Sequence, residues 1–137
     1  MTLLEDPRSY PEVDGWIDVC AFDDLLVDRG VAALVGTTAV AIFRCSPDDE
    51  VLAIANIDPY SHASVLSRGM VGCVDDRCFV ASPVFKNRFD LRTGISLRDH
   101  DVRVECHDVQ ISGGRVFVSA APRRHRTQVC KPVLIAG

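Results

Sequence analysis

The sequence predicts an all-β domain, a sandwich or barrel of short antiparallel strands. Three observations lead there. Short runs rich in Val, Ala, Ile and Phe recur along the 137 residues, at the length and spacing of half-buried strands. Turn signals separate them: Gly36-Thr37-Thr38, Ser46-Pro47-Asp48-Asp49, Asp75-Asp76-Arg77 and Ser112-Gly113-Gly114, where Gly, Pro and Asp supply the backbone angles that reverse a chain. No long stretch repeats its apolar residues with the helical period, so there is no amphipathic helix to cover a sheet.

Trp16-Ile17-Asp18-Val19-Cys20 has strand character and opens the domain. Residues 22–28 form an acidic turn with room for one helical turn, closed by Gly30. Residues 31–35 and 39–44 then read as a hairpin across Gly36-Thr37-Thr38. A charged turn over 46–50 leads to a strand over 51–57, which delivers the chain into a loop whose tail, 62–68, has room for a helical turn. Residues 78–81 form the strand feeding a second loop. Phe89-Asp90-Leu91 is expected to pair with Ile95-Ser96-Leu97 across Arg92-Thr93-Gly94. Val102, Val104 and Cys106 alternate with Arg103, Glu105 and His107, as in a half-buried strand, and the apolar parity then shifts to Val109 and Ile111. That shift predicts a bulge near His107-Asp108. Residues 115–120 close the domain after a hairpin turn at Ser112-Gly113-Gly114.

This length supports one domain with a real core, and 47% hydrophobic residues exclude a disordered chain. The organisation read from composition is an N-terminal arm over 1–15, a domain over 16–120 and a basic, then apolar, tail over 121–137. The tail holds Arg123, Arg124, Arg126 and Lys131 and no acid, so the other 120 residues carry 11 basic and 19 acidic side chains, a formal charge of −8. An acidic body argues against nucleic acid as a partner. The tail reads as an extension beyond the domain, with docking to an acidic partner surface as the alternative. The longest uncharged apolar run, 31–43, is too short for a bilayer, which needs about 20 residues, so no membrane partner is expected. The acidic, Pro-broken start is not a secretory signal, and a cytoplasmic location follows. In that compartment the six cysteines read as reduced, mostly buried thiols. The sharper alternative is a zinc site from Cys73, Cys78 and the Cys106-His107 pair, at a spacing just outside tight knuckle geometry.

Two stretches organise the chain, 55–69 and 81–94. Each follows an apolar run and opens on a proline turn: Asn56-Ile57-Asp58-Pro59-Tyr60, then Ser82-Pro83-Val84-Phe85. This layout resembles the two cluster-binding loops of a Rieske-type domain, Asn-x-Cys-Pro-His and Cys-Pro-x-His, in which two cysteines hold one iron and two histidines the other. Here those four positions read Asp58, Tyr60, Ser82 and Phe85. Phe85 has no lone pair, and oxygen donors are poor substitutes for thiolate or imidazole. With Val40-Ala41-Ile42-Phe43-Arg44, Ser64-Val65-Leu66-Ser67-Arg68-Gly69 and Val80-Ala81-Ser82-Pro83, the chain is similar over roughly 16–119 to the small subunit of bacterial assimilatory NAD(P)H-dependent nitrite reductase.

The resemblance implies a Rieske-like, ISP-type β-fold that has lost its 2Fe-2S ligands. It implies a non-catalytic subunit with no metal and no cofactor of its own. It further implies a large-subunit partner that carries the FAD, the iron–sulfur cluster and the sirohaem and reduces nitrite to ammonium in nitrate assimilation. The residues themselves frame no rival catalytic site. No nucleophile elbow surrounds a serine, and no Gly-rich loop opens a helix. His62 reads as a surface loop residue, His100 as a turn residue beside Asp99 and Asp101, and His125 as part of the tail. The two loops then admit two compatible roles. In one, Tyr60 and Phe85 fill the volume of a cluster while Asp58 and Ser82 hydrogen-bond their own turns. In the other, the loop tips with Arg68, Lys86, Arg88 and Arg92 form a docking face. Two other readings stand beside these: an electron-transfer ferredoxin with unorthodox ligands, and a freestanding β-fold interaction module.

Overall fold

Ten strands in the computed structural model, which describes residues 15–123, form three antiparallel sheets. The arm over 1–15 and the tail over 121–137 lie outside the described residues, apart from Gly15 and 121–123. The central sheet has the order β2 (Gly30–Val35), β3 (Thr38–Cys45), β4 (Glu50–Ala55), β8 (Cys106–His107). A second sheet joins β1 (Trp16–Ala21) to β10 (Arg115–Ser119) and β9 (Val109–Ser112), and a third joins β5 (Met70–Val74), β6 (Arg77–Ala81) and β7 (Arg88–Asp90).

The period-2 geometry of β3 explains the layering. Ala41, Phe43 and Cys45 point to one side with Leu52 and Ile54 of β4, and meet Leu66, Val80, Phe89 and Leu91. Val40 and Ile42 point to the other side with Ala53, and meet Val116, Val118 and the half-buried Ile17. The central sheet is therefore buried on both faces, which is why 39–44 reads as a continuous apolar run rather than an alternating one. Each fully buried Phe, Ile or Val contributes roughly 1.5–3 kcal/mol.

β1 pairs with β10 from Trp16↔Ser119 to Ala21↔Arg115, and the Ala120 amide donates to the Gly15 carbonyl at 2.6 Å. The first and last strands thus lie side by side.

Most expected elements form. The 31–35/39–44 hairpin closes on a two-residue Gly36-Thr37 turn, since Val35 pairs with Thr38. A 3-10 turn spans Phe22–Asp24 and another Leu66–Arg68. Across Arg92-Thr93-Gly94 the Asp90 amide donates to the Ile95 carbonyl and the Leu97 amide to the Arg88 carbonyl, with Phe89 bridging Ser96. Three expectations need correction. The strand over 51–57 ends at Ala55, and Ile57 instead makes a bridge to Ser64 that closes the first loop on itself. The long strand expected over 102–107 is a bridge between Ile95 and Arg103 followed by the two-residue β8. The parity shift at His107-Asp108 is no bulge: it marks where the chain leaves the central sheet, since β8 pairs with β4 and β9 with β10. β5 is an element the sequence does not announce.

The fold has two ends. β4 and β6 deliver the chain into the two loops at one end. The turn after β3, the Asp75-Asp76 hairpin and the 91–94 turn lie at the other, where the Arg92 guanidinium reaches Glu50 at 2.6 Å.

Candidate functional site

The first loop is tied back to its own origin. Asn56, buried at the end of β4, accepts from the Ser67 amide through Oδ1 at 2.7 Å and donates through Nδ2 to Ser64 Oγ at 2.9 Å. Its carbonyl accepts from the amides of Val65 and Leu66. One side chain and one carbonyl therefore hold both ends of the 56–67 loop together, and every polar atom of the buried amide has a use.

Asp58 comes next and is fully buried. Its Oδ1 accepts from the Tyr60 amide at 2.8 Å, an Asx turn across Pro59. Its Oδ2 accepts from the hydroxyl of Ser82, in the other loop, at 2.6 Å, the length of an O–H···O⁻ bond to a carboxylate. Ser82, also buried, accepts in turn from the Val84 amide at 3.1 Å. The two loops are thus sutured by one buried carboxylate–hydroxyl bond, with each partner also capping its own proline turn.

Tyr60 and Phe85 behave in opposite ways. Tyr60 packs its ring against the core, 6.0 Å between centroids from Phe89, and its hydroxyl meets Ser96 Oγ at 2.9 Å. Ser96 Oγ already accepts from the amides of Arg98 and Asp99, so with both lone pairs used its proton goes to Tyr60. Phe85 is 75% exposed. Phe85 and Lys86 both take left-handed backbone angles, φ +64° and +59°, an uncommon state for bulky residues that is found where surroundings over-determine the chain. The expectation that Tyr60 and Phe85 together fill the volume of a cluster fails for Phe85, while Tyr60 packs inward against the core. Phe85 is turned outward because its backbone is.

The basic residues separate likewise. Lys86 and Arg88 lie on or beside the second loop and are exposed, with the Arg88 guanidinium 5.1 Å from the centre of the Phe79 ring. Arg68 is exposed at the close of the first loop. Arg92 sits at the opposite end of β7, engaged with Glu50, so the loop end gathers three of the four basic residues. Exposed apolar side chains join them: Ile57 in the first loop, and Met70, which opposes Ala81 beside Ser82. Asn56 and Ser96 are the residues that sequence reasoning gave no role. An Asn closing an apolar run before a proline turn was the available signal for the first, and nothing local pointed to the second.

The donor set at the loops does not fit a 2Fe-2S cluster. Such a cluster takes thiolate or imidazole. Here one position has no donor atom, Tyr60 turns its oxygen to Ser96, and the Asp58 and Ser82 oxygens are bonded to each other. The zinc alternative fails on direction. Cys106 joins the core on one face of the central sheet, while His107 points through the other face to the Ser119 carbonyl, Nδ1 to O 2.9 Å. Cys73 and Cys78 lie on the β5–β6 hairpin. Among the described residues no group of three or more His, Cys, Asp and Glu side chains is arranged to hold a metal ion, and no helix is long and apolar enough to cross a membrane.

The fold and its two loops have relatives among known proteins. Residues 15–119 match the family described as the Rieske-like 2Fe-2S domain. The chain is 43% identical over 101 residues to the nitrite reductase (NADH) small subunit of Escherichia coli K12, covering 74% of this chain and 94% of that protein. The solved structure of the E. coli protein NirD superposes with a TM-score of 0.69 at 42% identity, covering 75% of this chain and 94% of that one. A nitrite reductase [NAD(P)H] large subunit from Klebsiella oxytoca is 34% identical over 103 residues, 75% of this chain but 11% of that protein.

Proposed function

The chain belongs to the Rieske-like family, among the small subunits of NAD(P)H-dependent nitrite reductase, and from that membership we propose that it is a non-catalytic subunit docked through its loop end on a large subunit. The large subunit carries the flavin (FAD), the iron–sulfur cluster and the sirohaem, and with them the reduction of nitrite to ammonium. This chain holds no cofactor, and its place is the cytoplasm, in nitrate assimilation. The observation that carries the reading is the suture between Asp58 and Ser82. Where the family's loops would converge on a redox centre, these loops converge on a hydrogen bond, yet the end keeps its shape and presents Phe85, Lys86, Arg88 and Arg68 outward. Exposed aromatic and basic side chains on a rigid support are what protein interfaces use as anchors. The match to a short stretch of a Klebsiella large subunit supports the pairing, because it puts a similar domain and a large subunit in one chain.

Two measurements test this. The tagged chain, recovered gently from its own host grown on nitrate, is expected to bring down a flavin- and sirohaem-containing partner and NAD(P)H-dependent nitrite reduction. Recovery of the chain alone would overturn the assignment. Lys86→Glu with Arg88→Glu is expected to weaken large-subunit binding by a few kcal/mol, as charge reversal does at a true interface, and unchanged affinity would remove the loop end as the docking face. The rival reading, an electron-transfer ferredoxin with unorthodox ligands, requires visible absorbance and iron in an anaerobic preparation. A colourless, iron-free protein is the expected result.

A further inference from the structure

The end of the domain away from the loops carries a pair of thiols that the docking role does not use. Cys73 of β5 and Cys78 of β6 are direct partners across the hairpin. Asp75 and Asp76 close it with φ +52° and +68°, a two-residue type I′ turn. In such a hairpin the Val74–Arg77 pair next to the turn exchanges backbone hydrogen bonds, so Cys73–Cys78 is a non-hydrogen-bonded pair. These have their Cα atoms about 4.5 Å apart, inside the range a disulfide spans. The sulfurs are already 2.8 Å apart, and both face the Ser46 carbonyl, at 3.8 and 3.5 Å. Cys73 is exposed and Cys78 half-buried. Cys45, buried, is a third thiol close to Cys78.

We infer that Cys73 and Cys78 form a reversible cross-strand disulfide, a modification site that takes low-molecular-weight disulfides of the glutathione class as oxidant. The exposed Cys73 thiolate attacks one sulfur of the oxidant, forming a mixed disulfide and releasing one small thiolate. The Cys78 thiolate then attacks Cys73 Sγ and expels the second. Two protein thiols and one small disulfide become one protein disulfide and two small thiols, so the electron pair passes to the oxidant and no other reactant is needed. Burial and the hydrogen bond from Cys73 push the Cys78 thiol up to about 11. Ring closure accelerates as pH rises and the Cys78 thiolate fraction grows. The bond would fix the β5–β6 hairpin, whose far end closes the first loop and opens the second, while leaving Phe85 and Lys86 untouched.

Tryptic cleavage after Arg44, Arg68, Arg77 and Lys86 places Cys45, Cys73 and Cys78 in three separate peptides, 45–68, 69–77 and 78–86. The folded full-length chain, equilibrated with oxidised glutathione and then alkylated, is expected to lose two of its six thiols. It should yield the 69–77/78–86 cross-linked pair, which dithiothreitol abolishes. Cys78→Ser should stop at one glutathione on Cys73, and Cys73→Ser should give no cross-link. In the wild-type chain, a mixed disulfide that persists on Cys73 without cross-linking overturns the proposal. So does a cross-link joining 45–68 to 78–86. Both readouts are on the native protein and do not depend on either variant folding.

Discussion

Removing the Asp58 carboxylate leaves a buried Ser82 hydroxyl and the Tyr60 amide without their acceptor. Asp58→Ala is expected to cost about 2–3 kcal/mol in urea unfolding, and the Asp58→Ala, Ser82→Ala cycle should show a coupling of about 1–2 kcal/mol. Zero coupling would mean the two loops are held by something else. The buried thiols give a second expectation at this scale. Burial raises Cys45 and Cys106 above the ordinary value of 9.0, so above pH 9 the unfolded chain releases protons that the folded chain keeps. The unfolded state then binds fewer protons, and stability falls as pH rises past 9. Equilibrium unfolding measured from pH 8 to 10.5 should show this decline, with a shallower slope in Cys45→Ala. The residue types at the two loops were legible in the sequence. What they do was not. That Asp58 bonds Ser82, 24 residues on, follows only once β4 and β6 deliver the loops to one end, and the outward turn of Phe85 is set by a backbone angle that no pattern in 82–87 signals.

At the scale of elements, hairpins announced themselves where glycine or a charged turn stood between apolar runs, and failed to where the run was weak. β5, Met70-Val71-Gly72-Cys73-Val74, has no alternation of its own. It is a strand because β6 offers a ladder and because the Phe79 ring sits over Gly72, where an added Cβ would meet the ring at 2.6 Å. The segment over 102–105 shows the reverse: clean alternation, yet only the single Ile95–Arg103 bridge before the two-residue β8. Asp76 holds a left-handed angle that glycine adopts freely, so Asp76→Gly is expected to stabilise the protein by ~0.5–1 kcal/mol, read as a raised urea midpoint. Gly94 is the opposite case. Its φ is +77°, and a Cβ would run into the Val104 carbonyl. Gly94→Ala should destabilise by about 2 kcal/mol or more.

For the whole molecule, the central sheet makes the two outer layers depend on one another. Phe43→Ala empties volume on the β6–β7 side and is expected to cost about 3–5 kcal/mol. The chain's one tryptophan, Trp16, lies in the sheet on the other side. If both layers fold as a unit, tryptophan fluorescence and far-ultraviolet circular dichroism should shift together in this variant, and separate transitions would show two independent halves. The adjacency of Gly15 and Ala120 has a different consequence. A segment that leaves its host at one point and returns to it a hydrogen bond's length away behaves as a cassette: it can sit in tandem with, or be spliced into, another polypeptide without prising that polypeptide apart. The same closeness means that a short bridge between residues 15 and 120, with a new opening cut at the exposed Asp48-Asp49 turn, should give a permuted chain that folds to the same three layers. Two gene products and one fused product are, for a domain closed in this way, nearly the same object.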